Sequence, residues 1–227
     1  MKSLLKFPLL VAVATMMSCS FSACSDNDDP TPDTGTSETD AKFEAIAKQY
    51  LDHTVYVTYK NLADETEQLV KDLQALKSSK TDANVKATCE TFLEARAWWE
   101  KSEAFLYGAA TDFGIDPHID SWPLDLDGLQ TALKNTEQVE AMGGEDGDIY
   151  AGEKLGNSLL GFHGIEYILF EDGSPKSVSK ISDLHLTYAV AVAGDLRNRC
   201  WQLELSWRGE SAVNADRVAK VANELEL

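Results

Sequence analysis

The chain has 227 residues, of which 44% are hydrophobic, and it carries 38 acidic against 20 basic side chains, a formal charge of -18 at pH 7. A surface this acidic repels nucleic acid and anionic lipid headgroups and favours cations, which argues against a nucleic-acid partner. The length allows one substantial core, or one domain with extensions.

Residues 1–24 read as a lipoprotein signal peptide. Lys2 and Lys6 precede an apolar run from Phe7 to Met17, too short to span a bilayer. Cys24, preceded by Phe21-Ser22-Ala23, fits the lipid-bearing cysteine; Cys19 is the rival, and cleavage without a lipid is the third outcome. A lipidated cysteine anchors without spanning. The expected location is therefore the cell envelope, at the outer membrane through the N-terminal lipid, facing the periplasm or the surface. Removing residues 1–24 takes away two lysines and no acid, moving the charge from -18 to -20. Residues 25–40, with Pro30, Pro32, Gly35 and a Ser/Thr/Asp background, are expected to form a disordered acidic tether. The folded domain is placed at residues 41–227.

Within it, Ala41 to about Ser78 predicts one long helix, with Phe43, Ile46, Tyr50, Leu62, Leu69, Leu73 and Leu76 mostly at three-to-four spacing. A second helix is predicted from Asp82 to Tyr107, with Val85, Cys89, Phe92, Trp99 and Leu106 on one stripe. Residues 109–123 read as an irregular, apolar loop packed on the body. Helices follow over 124–142, 149–170, 178–207 and 212–226, with Ser177 or Ser179 as a cap for the third. The four glycines inside 149–170 each cost roughly 1 kcal/mol of helix propensity and call for close packing or a kink. No alternating strand pattern of useful length occurs. The fold class is all-α, an up-and-down bundle of long helices.

Three clusters carry chemistry. Gly161-Phe162-His163-Gly164-Ile165-Glu166 sets an imidazole and a carboxylate at i and i+3, on one face with Leu159 and Phe170, predicting an inward-facing pair. Two readings stay open for it: a buried hydrogen-bonded couple, or part of a metal or catalytic site. The two-histidine zinc signature is absent, so other helices must supply further ligands. Arg96, Trp99 and Glu103 share the apolar face of the second helix, where charges need partners. Glu103 is a candidate to meet His163, and Arg96 to fix a loop carboxylate; a snorkelling Arg and a solvent-edge Glu are the alternative. The third cluster is Asp116-Pro117-His118-Ile119-Asp120-Ser121-Trp122-Pro123-Leu124-Asp125. It either presents polar groups to a cleft or caps backbone amides. His53 and His185 read as boundary residues, and Trp98, Trp201 and Trp207 as packing or interface residues. Cys89 and Cys200 either pair or lie buried as small hydrophobes.

Together these segments resemble the imelysin family. Gly161-Phe162-His163-Gly164-Ile165-Glu166 is similar to its Gly-x-His-x-x-Glu signature, Arg96 to Phe105 to its R-x-x-W-x-x-S-E-x-F helix, and Ile119-Asp120-Ser121-Trp122-Pro123 to its I-D-x-W-P loop. The resemblance implies an all-helical fold of two related halves in lipoproteins or periplasmic proteins, with a role in iron uptake or as metallopeptidases. It implies a metal set of His163, Glu166, Glu103 and Asp120, supported by Arg96, Trp99 and Trp122, with iron or zinc as the ion. Glu166 would be the catalytic residue in a peptidase. Family members are longer, and this chain corresponds to the first half. The expectation is a half-length variant or a truncation, completed by a homodimer or an envelope protein partner. The leading functional expectation is an envelope lipoprotein binding iron, another divalent metal or a metal-bearing ligand. A metal-dependent peptidase and a non-catalytic protein-binding surface module are the alternatives.

Overall fold

The computed structural model describes residues 38–225. The signal peptide, Cys19, Cys24 and most of the tether fall outside the described residues. The helical body is a compact unit beginning at Ala45, and residues 38–44 lie outside that unit. The described residues are almost entirely helical, as the periodicity requires, with one two-residue strand pair.

Helix α1 (Glu38–Tyr50) runs through a π-helical turn (Leu51–Val55) into α2 (Tyr56–Ser78). The single predicted helix is thus one rod with a widened turn. Its apolar stripe becomes core only from Val55 onward; Ile46 and Tyr50, expected on that stripe, are exposed. Helix α3 (Asp82–Ser102) folds back antiparallel after a short turn, and the Thr81 hydroxyl caps it by accepting from Asn84 N at 3.1 Å. A 3₁₀ turn (Glu103–Phe105) follows it, so the α-helix ends five residues before the predicted Tyr107, and Gly108 takes φ +63° just beyond. Short helices α4 (Ala109–Asp112) and α5 (Asp116–Ile119) occupy the region expected to be an irregular loop. Ile115 and Ile119 pin it to the core, whereas Trp122 is 73% exposed.

The predicted 124–142 helix divides into α6 (Leu126–Lys134) and α7 (Thr136–Met142), because the Asn135 carboxamide accepts from Gln138 N and restarts the helix. The predicted 149–170 helix divides further, into α8 (Gly147–Lys154), a 3₁₀ turn (Asn157–Leu159) and α9 (Gly161–Leu169). Here the glycines break the helix rather than kink it. A small hairpin of β1 (Phe170–Glu171) with β2 (Ser174–Pro175) turns through Asp172 and Gly173, both at positive φ. Helix α10 (Asp183–Arg208) is capped by Ser182 in a reciprocal arrangement with His185, not by Ser177 or Ser179. A 3₁₀ turn (Glu210–Ala212) leads into α11 (Ala215–Glu224).

Helix α2 packs against both α3 and α10, and α10 also bears on α7, α8, α9 and α11. Leu62, Leu69, Leu73 and Leu76 of α2 share one core with Val85, Phe92 and Trp99 of α3 and with Leu196, Cys200 and Leu203 of α10. Because α10 is surrounded, its polar residues are buried too, and Asp195, Asn198, Gln202 and Glu204 need internal partners. Cys89 and Cys200 are both free and buried, so they do not pair. Burial pushes the Cys89 thiol up to about 12 and the Cys200 thiol up as well, leaving both protonated and inert.

Candidate functional site

The site forms where α9 lands on the loop after α5. Gly161 has φ +65°, and a Cβ there would lie 2.1 Å from the Ile119 carbonyl oxygen and 2.7 Å from that of His118. Only glycine allows the first turn of α9 to approach the α5 backbone this closely. That approach puts His163, two residues on, directly against Asp120. Gly164 serves the opposite side: a Cβ would meet the Tyr188 hydroxyl and the Leu159 carbonyl, both at 2.8 Å. The Tyr188 hydroxyl donates to that carbonyl, tying α10 to the turn before α9.

Asp120 is the hub. Its Oδ1 lies 2.5 Å from Arg96 Nη1 and 2.9 Å from His163 Nε2, and its Oδ2 accepts from Trp99 Nε1 at 2.9 Å. Burial alone would raise this carboxyl's pKa; the bonds from Arg96 and Trp99 and the charges of Arg96 and His163 outweigh burial and hold it below the usual carboxylate range. The loop is therefore bound to α3 and α9 at once. Arg96 fixes a loop carboxylate, as its place on the apolar stripe implied, and also reaches Glu100 at 2.6 Å. Asp125, rather than Asp120, does the capping, accepting from Gly128 N at the start of α6.

His163 is held from two sides. Its side chain is 16% exposed, while that of Glu166 is 54% exposed, so only the imidazole faces inward and the predicted inward pair is divided at the surface. Nε2 donates to Asp120 Oδ1 at 2.9 Å. Nδ1 lies 3.3 Å from Glu166 Oε2, an acceptor only, so it bonds there when it carries a proton. A metal ion at this edge would take the place of that proton. The exposed Trp122 ring lies 4.8 Å from the imidazole, centroid to centroid, at a tilt of 55°. Beyond the pair opens a groove of about 480 Å³, walled by Phe92, Leu93, Trp122, Tyr167 and Phe170, with Glu166 and Asp172 at its rim.

The four-member metal set is not assembled as expected. Glu103 is exposed and makes no bond to His163; burial first, then the charges of Glu100, Asp116 and Asp120, raise its carboxyl's pKa. Asp120 has both oxygens engaged by protein donors. Among the described residues no group of three or more His, Cys, Asp or Glu side chains is arranged to hold a metal ion. The donor chemistry fits a cation on one edge only, through His163 Nδ1 and Glu166 Oε2.

The sequence reading missed a second polar system centred on α10. His118 Nδ1 lies 3.3 Å from Asp195 Oδ2, so His118 of the third cluster turns away from His163. Asp148 Oδ2 accepts from Arg197, Asn198 and Lys220 at 2.7, 3.0 and 3.1 Å. Burial raises the Asp148 carboxyl's pKa, but these donors bring it to a net lowering. Buried Glu204 pairs with Arg208 and with Arg217, which also reaches Asp64 and Glu67. The available signal was the crowding of Asp195, Asn198, Gln202 and Glu204 into a helix also bearing Leu196, Cys200 and Leu203.

The imelysin family model matches residues 55–226, which include Arg96, Asp120, His163 and Glu166. Iron-regulated protein A of Synechococcus elongatus is 31% identical over 169 residues, covering 74% of this chain and 41% of that protein. Among solved structures, a protein assigned as an iron-regulated protein A precursor, from Parabacteroides distasonis, superposes with a TM-score of 0.66 at 26% identity, covering 83% of this chain and 53% of its own. An imelysin peptidase from Bacteroides ovatus gives a TM-score of 0.53 at 33% identity over 61% of this chain and 39% of its own. The chain thus spans 41% of the length of the curated relative it matches.

Proposed function

The chain belongs to the imelysin family, and from that premise we propose that it is an envelope protein whose His163–Glu166 pair captures a metal ion, or a ligand bearing one, in iron acquisition. The observation that carries this reading is the approach of His163 Nδ1 to Glu166 Oε2 at 3.3 Å beside an open groove, a ring nitrogen and a carboxylate that can share a cation. Asp120 then has the role of the carboxylate behind a metal-binding imidazole: accepting from Nε2, it orients the ring. Arg96 and Trp99 hold Asp120 in turn. The acidic chain favours the approach of cations. The similarity to iron-regulated protein A of Synechococcus elongatus supports iron as the ion. Anchoring through Cys24, or Cys19, would place the site at the outer membrane. No helix among the described residues is long and apolar enough to cross a membrane.

Calorimetric titration of the metal-free chain with ferric, ferrous and zinc ions tests the reading. Saturable binding that is lost in His163→Ala supports it. Absence of saturable binding for all three ions refutes it. The peptidase reading draws on the name of the Bacteroides ovatus protein and on the exposure of Glu166, which leaves that carboxylate accessible as a base. Chelator-sensitive peptide hydrolysis that disappears in Glu166→Gln would favour it.

A further inference from the structure

The lining of the groove bears on what the His163–Glu166 pair takes. Resting on the metal reading, we infer that its cargo is a metal ion already held by a flat, apolar chelator of neutral or positive overall charge, rather than a bare hydrated ion.

Donor number is the first observation. Sites that strip a hydrated ion from water usually present three or more protein ligands. Here the described residues assemble no such group, and only Nδ1 and Oε2 face the position between them. An ion held by two donors keeps most of its other ligands, so those ligands travel with it. On binding, two water ligands of the complex leave, Nδ1 and Oε2 replace them, and any proton on Nδ1 goes to solvent.

Apolar surface beside the donors is the second. Leu93 is 56% exposed and Trp122 73% exposed, and both line the groove that His163 and Glu166 enter. Phe92 and Phe170 line it too, with their rings 5.3 Å apart. A hydrated ion gains nothing from these walls. A planar aromatic chelator buries its faces against them, and pockets of this kind take mostly apolar ligands fixed by a few polar groups.

Charge is the third. Glu166 pairs only with His163, and Asp172 has no ion-pair partner among the described residues. Glu171, also at the groove, is neutralised by Lys180. Lys176, the cation beside this wall, is engaged by the Tyr167 ring and carbonyl, so the two carboxylates leave a rim that disfavours an anionic complex such as a metal polycarboxylate and accepts a cationic one.

The test compares three zinc species on the purified chain by calorimetry: the aqua ion, the equimolar phenanthroline complex, and the equimolar nitrilotriacetate complex. The phenanthroline complex is expected to bind on the order of tenfold tighter than the aqua ion, the gain from apolar burial. Leu93→Ser, an uncharged change at a largely exposed position that leaves the fold intact, should remove most of that gain and leave aqua-zinc binding unchanged. His163→Ala should abolish binding of every zinc species. Equal affinity for the aqua ion or the nitrilotriacetate complex overturns the inference while leaving metal capture standing. So does metal-free phenanthroline binding as tightly as its zinc complex. Failure of all zinc species to bind overturns the metal reading itself.

Discussion

Asp120→Asn isolates the hub of the site, because it preserves shape and removes the charge. The carboxylate serves three donors, from Arg96, His163 and Trp99. Removing one partner of a buried ion pair costs about 3–5 kcal/mol. Arg96 softens that loss, since its side chain is 23% exposed and keeps Glu100 at 2.6 Å. The amide adds a penalty of another kind. Asparagine has one acceptor oxygen; if it stays with Arg96 and His163, its NH₂ faces Trp99 Nε1, donor against donor. Trp99 is fully buried, so that unmade bond costs about 1–3 kcal/mol. The net expectation is a loss of about 2–4 kcal/mol, measured by urea denaturation with an unchanged m-value. Trp99→Phe removes the opposing donor, so the double variant should lose less than the sum of the two single losses. A cost below about 1 kcal/mol for Asp120→Asn, or strict additivity with Trp99→Phe, would refute the hub.

Gly161→Ala must both adopt φ +65° and place a Cβ 2.1 Å from the Ile119 carbonyl oxygen, so a loss above about 3 kcal/mol is expected. Gly114→Ala is its control: φ is +59° but nothing lies within 4 Å, so only the backbone term of about 1–2 kcal/mol remains. Equal losses in urea melts of the two variants would remove close packing from the explanation of Gly161. The pH dependence follows from the lowered pKa of Asp120. Its stabilisation is fully present above the unfolded value of about 3.9 and is lost as pH falls through the lower folded value. The stability gap between the parent chain and Asp120→Asn should therefore be full near about pH 5 and shrink below about pH 3.9. A gap unchanged at about pH 3 would contradict the shift.

How much was legible in the residues varied with the kind of signal. Apolar spacing from Leu62 to Leu76 and from Val85 to Trp99 identified α2 and α3, because a periodic stripe has only one way to be buried. It also placed Arg96 where a partner was obligatory, and Asp120 supplied it. The same periodicity misjudged 124–142 and 149–170. There Asn135 and Gly161 act through a cap and a backbone contact, each decided by one residue against many. Glu103 was matched to His163 on helix phase alone. The 3₁₀ turn at Glu103–Phe105 changes that phase, and Asp120 occupies the place instead.

By itself the sequence determined an all-α chain with an acidic surface, a His163–Glu166 pair at i and i+3, and a set of motifs specific to one family. These follow from local chemistry: helical period, net charge and the order of residues. Only the tertiary structure decided that Asp120 holds the imidazole, that Glu103 stands apart, and that His163 faces in while Glu166 faces out. It also decided that the pair opens onto an apolar groove. Those outcomes depend on how α3, the loop after α5 and α9 meet, and that meeting is set by Gly161 and by the three donors that converge on one carboxylate.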